Sequence, residues 1–188
     1  TDVGRLYRAQ NQGLLQPLQS TVLTESIPAH LRDPAQHWFG LTVRARPIVY
    51  VPGKVNPAEL STLEALADPK WRGRICIRSS DNIYNQSMIA AMIASIGEEK
   101  TLAFAKGLVA NFAQPPKGGD RDQIKAAAAG VCDIAIANTY YLAGMFDDAK
   151  DAPAAKQVKV FWPNQADRGA HINISGAAVA KYAKNKAQ

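Results

Sequence analysis

Residues 120–141 read DRDQIKAAAAGVCDIAIANTYY. Asp120 is placed to cap a helix over residues 121–129, and Gly130 stands where a left-handed residue ends one. The apolar run 131–137 then reads as a buried strand, bounded by Asn138 and Thr139. Two adjacent tyrosines, Tyr140 and Tyr141, follow at once. In open α/β sheets ligands gather beyond the carboxyl ends of strands, so two phenols at that point are placed to meet a ligand rather than to fill a core. Phenol oxygens can grip a hard cation; tyrosines that merely cover a sheet end leave their hydroxyls in water.

The same alternation extends outward. An opening helix over residues 3–10 stops at Gly13, and Pro17, Pro28 and Pro34 keep the text up to residue 34 free of long elements. Residues 38–50 alternate as one strand, closed by Pro52-Gly53. Ser61 with Glu64 makes a capping-box pattern for a short helix that Asp68-Pro69 ends. A strand over 74–78 runs through the polar turn 79–82 into an apolar helix from Ile83 to Ile96, stopped by Gly97. A second helix, 98–111, leads to the loop 115–119. After the tyrosines come a helix to about Phe146, a charged loop over 147–156, a strand over 158–162, a turn over 163–169, and a last strand and helix over 171–184. Helices and strands at this spacing predict an α/β fold, a mostly parallel sheet covered by helices.

Composition narrows the function. With 188 residues, 47% of them hydrophobic, the chain can bury a proper core, and no stretch approaches the roughly 20 apolar residues of a membrane span. No secretory leader is recognisable, so a signal segment is expected to be absent or already removed. The formal charge of +6 is spread along the chain without a basic run or an aromatic-interleaved stripe, which argues against nucleic acid as a partner. Cys76 and Cys132 sit in two strand-like runs; they form a disulfide if those strands are neighbours and two buried thiols if they are not. His30, His37 and His171 do not cluster in sequence, and Ser175 with His171 lacks a G-x-S-x-G elbow, so neither a zinc site nor a catalytic triad is supported. Gly118-Gly119 lacks the Lys-Ser/Thr that a phosphate loop requires. No enzyme is expected.

Ferric iron is small, hard and highly charged; it prefers oxygen donors and strips the proton from a phenol whose ordinary pKa is about 10. Three tyrosinates neutralise it. Tyr84 offers a third phenol, since it follows the turn after the strand over 74–78 and so lies at the same end of the sheet as Tyr140 and Tyr141.

The text around Asn138-Thr139-Tyr140-Tyr141, together with residues 66–74 (LADPKWRGR), Ile83-Tyr84-Asn85-Gln86-Ser87 and Phe161-Trp162-Pro163-Asn164-Gln165, resembles the periplasmic ferric-iron-binding proteins of bacterial ABC importers over nearly the whole chain. The resemblance implies the type II periplasmic-binding fold, Fe(III) as the bound ion, a carbonate-like synergistic anion beside it, an ABC permease as partner, no direct membrane insertion, and a periplasmic location for the mature form. It implies Tyr140 and Tyr141 as iron ligands, with Tyr84 as the additional tyrosine of the subgroup that takes three from one lobe. Arg44 or Arg46 resembles the arginine that pairs with the anion or with a ligating phenolate; strand alternation puts both on one face, and Arg44 is favoured. Ser79 and Asn138 are candidates to donate hydrogen bonds to the anion or the phenolates, or else serve as turn and cap residues. Members of the family begin earlier and continue further, so the chain reads as a partial one: residues 1–50 as the end of an N-terminal lobe and a crossover strand, 51–168 as the C-terminal lobe, and 169–188 as the return crossover strand and the start of the second part of the N-terminal lobe. The alternative is a module of the same fold for another anion or a small organic cation, with the tyrosines as stacking or hydrogen-bonding groups.

Overall fold

Helix and strand alternate along most of the chain, as its caps and breakers foretell. The computed structural model describes residues 1–185. In chain order the elements are α1 (Val3–Asn11), β1 (Leu15–Gln16), α2 (Thr21–Ser26), β2 (Phe39–Ala45), β3 (Ile48–Tyr50), β4 (Ile75–Cys76), α3 (Ile83–Ile96) and α4 (Glu98–Ala110). There follow α5 (Asp120–Ala128), β5 (Ile134–Ile136), α6 (Thr139–Phe146), α7 (Ala152–Ala155), β6 (Lys159–Phe161), β7 (Ile172–Ala177) and β8 (Val179–Ala180). Cα proximity separates the chain into two units, Thr1–Arg44 with the residues from Ile172 on, and Ala45–His171.

The second unit is built on a four-stranded sheet of order β4-β5-β3-β6. β4 and β5 are parallel, while β3 runs antiparallel to both of its neighbours, β5 and β6. Three of the four strands therefore share a direction, but only one neighbouring pair is parallel, and the sheet is mixed. The expected mostly parallel sheet is corrected in this respect, because β3 enters between β5 and β6 against their direction.

Side chains alternate across extended backbone, and here the alternation divides two cores. Ile48, Tyr50, Ile75, Ile77, Ile134 and Ile136 face Met88 and Met92 of α3 and Phe104 and Leu108 of α4. Val49, Cys76 and Ala135 face Ile124 and Ala127 of α5, Leu142 and Met145 of α6, and Ala155 of α7. Burying each large aliphatic side chain contributes about 1.5–3 kcal/mol, so both faces must stay covered. The segment quoted above from Leu66 to Arg74 serves this packing: Trp71 is wholly buried, and Asn111 at the end of α4 donates to the carbonyls of Leu66 and Asp68 at 2.9 and 2.8 Å. Gly107 in α4 lies so close to this turn that a Cβ would come within 2.7 Å of Ala67.

Several sequence expectations change locally. The strand over 38–50 is two strands, β2 paired with β7 and β3 in the large sheet, because Pro47 lacks a ladder donor and Arg46 gives its N–H to His171 at 2.9 Å. The capping box at Ser61 is absent; Thr62 caps the turn instead, accepting from Ala65 at 3.1 Å, and Glu64 is taken by Asn164 at 3.0 Å and by Arg168. Asp120 is not a cap but the first residue of α5, and Gly119 caps it with its N–H given to Asp122 at 2.6 Å. The tyrosine pair lies inside α6 rather than before it. The last helix expected by residue 184 is not found among the described residues, since Val179 and Ala180 pair with Gln16 and Leu15 as β8.

Cys76 and Cys132 are disulfide-bonded, with Cα atoms 5.9 Å apart. The parallel pairing of β4 with β5 brings them together, which sequence left open. The bridge closes a separation of 56 residues, for which loop entropy alone predicts about 4 kcal/mol. Replacing both cysteines with serine is therefore expected to lower unfolding free energy by roughly 2–4 kcal/mol in chemical denaturation while leaving the far-ultraviolet circular dichroism intact.

Candidate functional site

Three helices of the second unit begin near one another because of how the strands feed them. β4 leads through the turn 79–82 into α3, whose cap Asn82 accepts from the Tyr84 N–H at 2.9 Å. β5 leads through Asn138 into α6, whose first turn carries Tyr140 and Tyr141. These are the carboxyl ends of the two parallel strands, where α/β sheets place ligands. The phenols meet there: Tyr140 donates to the Tyr84 hydroxyl at 2.9 Å, and the Tyr141 ring centroid lies 4.4 Å from that of Tyr140 and 6.5 Å from that of Tyr84.

Under the phenols lies a charged floor. The register that sets Ile48 against Ile136 places Arg46, two residues before β3, beside Asn138, two residues after β5. Arg46 is 1% exposed and donates to Asp120 and to Asn138 Oδ1, both at 2.9 Å, and to Asn85 Oδ1 at 2.6 Å. Asp120, wholly buried at the start of α5, also accepts the Asn138 N–H at 2.7 Å and Arg78 at 3.3 Å. Arg78 in turn lies over the Tyr84 ring, 5.3 Å from its centroid. Two guanidiniums against one carboxylate leave a single net positive charge beneath three phenols, and the N-terminus of α6 adds to it. Such a floor favours negative charge above it. Burial works to lower the Arg46 pKa and Asp120 works to raise it.

The phenols are inequivalent. Burial raises the Tyr140 pKa far above its ordinary 10.0, helped by the hydrogen bonds with Tyr141 and Tyr84. Burial also opposes ionisation of Tyr141, but its hydrogen-bonding interactions with Tyr140, Tyr84 and Arg78 outweigh it and bring its pKa below 10.0. The Asn138 side-chain nitrogen is enclosed, makes no hydrogen bond of ordinary geometry, and still lies near enough to Tyr140 to favour that phenolate.

The residues singled out from sequence therefore divide. Tyr84, Tyr140, Tyr141, Arg46 and Asn138 come together. Arg44, the favoured arginine, belongs to the first unit, where it pairs with Asp2 and donates to Ser175 at 2.9 Å. Alternation puts Arg44 and Arg46 on one face of a continuous strand, but the strand breaks between them. The Ser79 hydroxyl closes its own turn, donating to Asp81 at 3.0 Å. Sequence reading missed Asp120, Arg78 and Asn85 as parts of the site. The polar run Asn85-Gln86-Ser87 opening a largely apolar helix was the available signal. Among the described residues, no group of three or more His, Cys, Asp or Glu is placed to hold a metal ion.

The family model described as bacterial extracellular solute-binding protein matches residues 2–188. The chain belongs to that family. It is similar to "Iron uptake protein A1" of Synechocystis sp., 51% identical over 187 residues that cover 98% of this chain and 52% of the relative. It is 31% identical over 179 residues to the "Fe(3+)-binding periplasmic protein" of Serratia marcescens, covering 95% of this chain and 51% of that one. The structure of Trichodesmium FutA in complex with iron and citrate superposes with a TM-score of 0.94 at 53% identity, covering 99% of this chain and 60% of that one. The fold is thus the type II periplasmic-binding fold over the part spanned, and the chain spans about half the length of the curated relatives it matches.

Because Tyr141 is the phenol with the depressed pKa, it is expected to ionise first as pH rises in the metal-free protein. Tyr141→Phe should abolish the earliest phenolate absorbance of the site in an ultraviolet pH titration, and Tyr140→Phe, which removes the first of the hydrogen bonds that favour the Tyr141 phenolate, should move that absorbance to higher pH.

Proposed function

We propose that this chain is the iron-holding part of an extracytoplasmic solute-binding protein that captures Fe(III) and delivers it to an ABC permease. The observation that carries the reading is the cluster of three phenols, Tyr84, Tyr140 and Tyr141, over a floor of net positive charge at the ends of parallel strands. Phenolates are hard oxygen donors, and three of them match the charge of ferric iron. Membership of a solute-binding family and the names of the relatives agree with a binding protein rather than an enzyme, and with a periplasmic setting in which the disulfide persists. On this reading Ala45–His171 is the lobe that carries the tyrosines, and Thr1–Arg44 with the residues from Ile172 belongs to the other lobe.

In the mechanism, the arginine floor stabilises the phenolates that form as the metal enters, and proton return to them weakens the metal's hold. A carbonate-like anion beside the arginine floor would supply further oxygen donors to the metal. A second reading follows from the same floor: net positive charge with helix N-termini also suits an organic anion without metal.

Ferric titration separates the two. Added ferric salt is expected to colour the protein through tyrosinate-to-iron charge transfer, and Tyr140→Phe or Tyr141→Phe should each lower affinity by more than about 100-fold, beyond what loss of a supporting group costs. Affinity should fall steadily as the iron-loaded protein is titrated from neutral pH into mild acid; a colourless mixture would favour the second reading.

A further inference from the structure

Both guanidiniums of the floor converge on the Asp120 carboxylate. Its Oδ2 accepts from Arg46 at 2.9 Å and from the Asn138 N–H at 2.7 Å, and its Oδ1 accepts from Arg78 at 3.3 Å. These partners lead to the two segments that carry the phenols. Asn138 begins the helix that carries Tyr140 and Tyr141, and Arg78 covers the ring of Tyr84. Arg46 reaches the start of α3 through Asn85, which donates onward to the carbonyls of Arg78 and Ser79 at 2.8 and 3.2 Å. Through these bonds Asp120 ties together the two segments that present the phenols, and its charge also acts on Tyr141.

We propose that Asp120 is the positioning residue of the tyrosine site: it holds the Tyr84 segment and the Tyr140–Tyr141 segment at one spacing and cancels one of the two guanidinium charges beneath the metal. The proposal rests on the iron-binding reading. A trivalent cation is sensitive to both effects, since an uncancelled guanidinium repels it and a changed phenol spacing alters which oxygens reach it together. Without the carboxylate, Arg46 and Arg78 also repel each other across the vacated place, which spreads the two segments apart.

The test compares Asp120→Ala with the unaltered chain and with Asp151→Asn. Asp151 is suited as a control, being a buried carboxylate paired with Lys125 at 2.6 Å and Arg121 at 3.6 Å. Asp120→Ala is expected to lower ferric affinity by roughly tenfold or more and to move the tyrosinate charge-transfer band, in line with loss of a supporting group. Added formate, a carboxylate small enough for the vacated place between the arginines, should restore both. Asp151→Asn should lower thermal stability without moving the band.

An Asp120→Ala variant with the affinity and band of the unaltered chain would overturn the proposal, and so would a loss that formate leaves unchanged. Should that variant fail to fold, Asp120→Asn keeps the shape without the charge; it should lose affinity without formate rescue, and retention of full affinity would overturn the charge role. If the unaltered chain gives no colour with ferric salt, the iron-binding reading itself fails, an outcome distinct from any result at Asp120.

Discussion

Arg46 and Asp120 form an ion pair that water does not reach, at 1% and 0% exposure, and the tyrosine face depends on its staying paired. A buried charge deprived of its partner costs several kcal/mol, and in isolation neither member is tolerable in an apolar interior. The protein satisfies them by drawing polar groups to Arg46 and to the start of α5 from three places: Asn85 from α3, Asn138 from the end of β5, and Arg78 from the end of β4. Each of those groups belongs to a segment that begins a helix. The requirement that one carboxylate and one guanidinium be fully bonded therefore fixes the relative positions of three helix starts, and two of these carry the phenols.

The sheet delivers those segments to one another. Two cores, divided by the alternation of side chains across β3, β4 and β5, hold α3 and α4 on one face and α5, α6 and α7 on the other. The parallel pairing of β4 with β5 sends both following chains out at the same end, and the antiparallel entry of β3 brings Arg46 back to that end from the opposite direction. A fully parallel sheet would put the residues before β3 at the far end. The mixed sheet is thus a condition for the charged floor, and the disulfide between Cys76 and Cys132 reinforces the β4–β5 pairing on which it rests.

Much of this was legible in the chain. Gly97 and Gly130, both in the left-handed region, end α3 and α5 where the text places a stop, and α3 begins and ends as its apolar run implies. The three tyrosines were identifiable because the strand-then-helix pattern fixes an end of the sheet, and all three fall at that end. Less legible were the residues whose roles depend on contacts distant in sequence. Asp120 carries every local mark of a helix cap, and a neighbouring Gly119 with Asp122 takes that task instead. Ser61 and Glu64 make the spacing of a capping box, yet Glu64 answers to Asn164 and Arg168, about a hundred residues away.

Arg44 and Arg46 mark the boundary most clearly. By sequence they are equivalent, two arginines at alternate positions of what reads as one strand. Local rules determined the elements, the caps, the apolar faces and the end of the sheet at which the phenols stand, because each depends on neighbours within a few residues. Only the tertiary structure decided that the strand breaks at Arg46-Pro47, that Arg44 answers Asp2 and Ser175, and that Arg46 answers Asp120. The reason is that a buried charge is settled by whichever opposite charge the fold brings within hydrogen-bonding distance, and that partner lies 42 residues away for one arginine and 74 for the other.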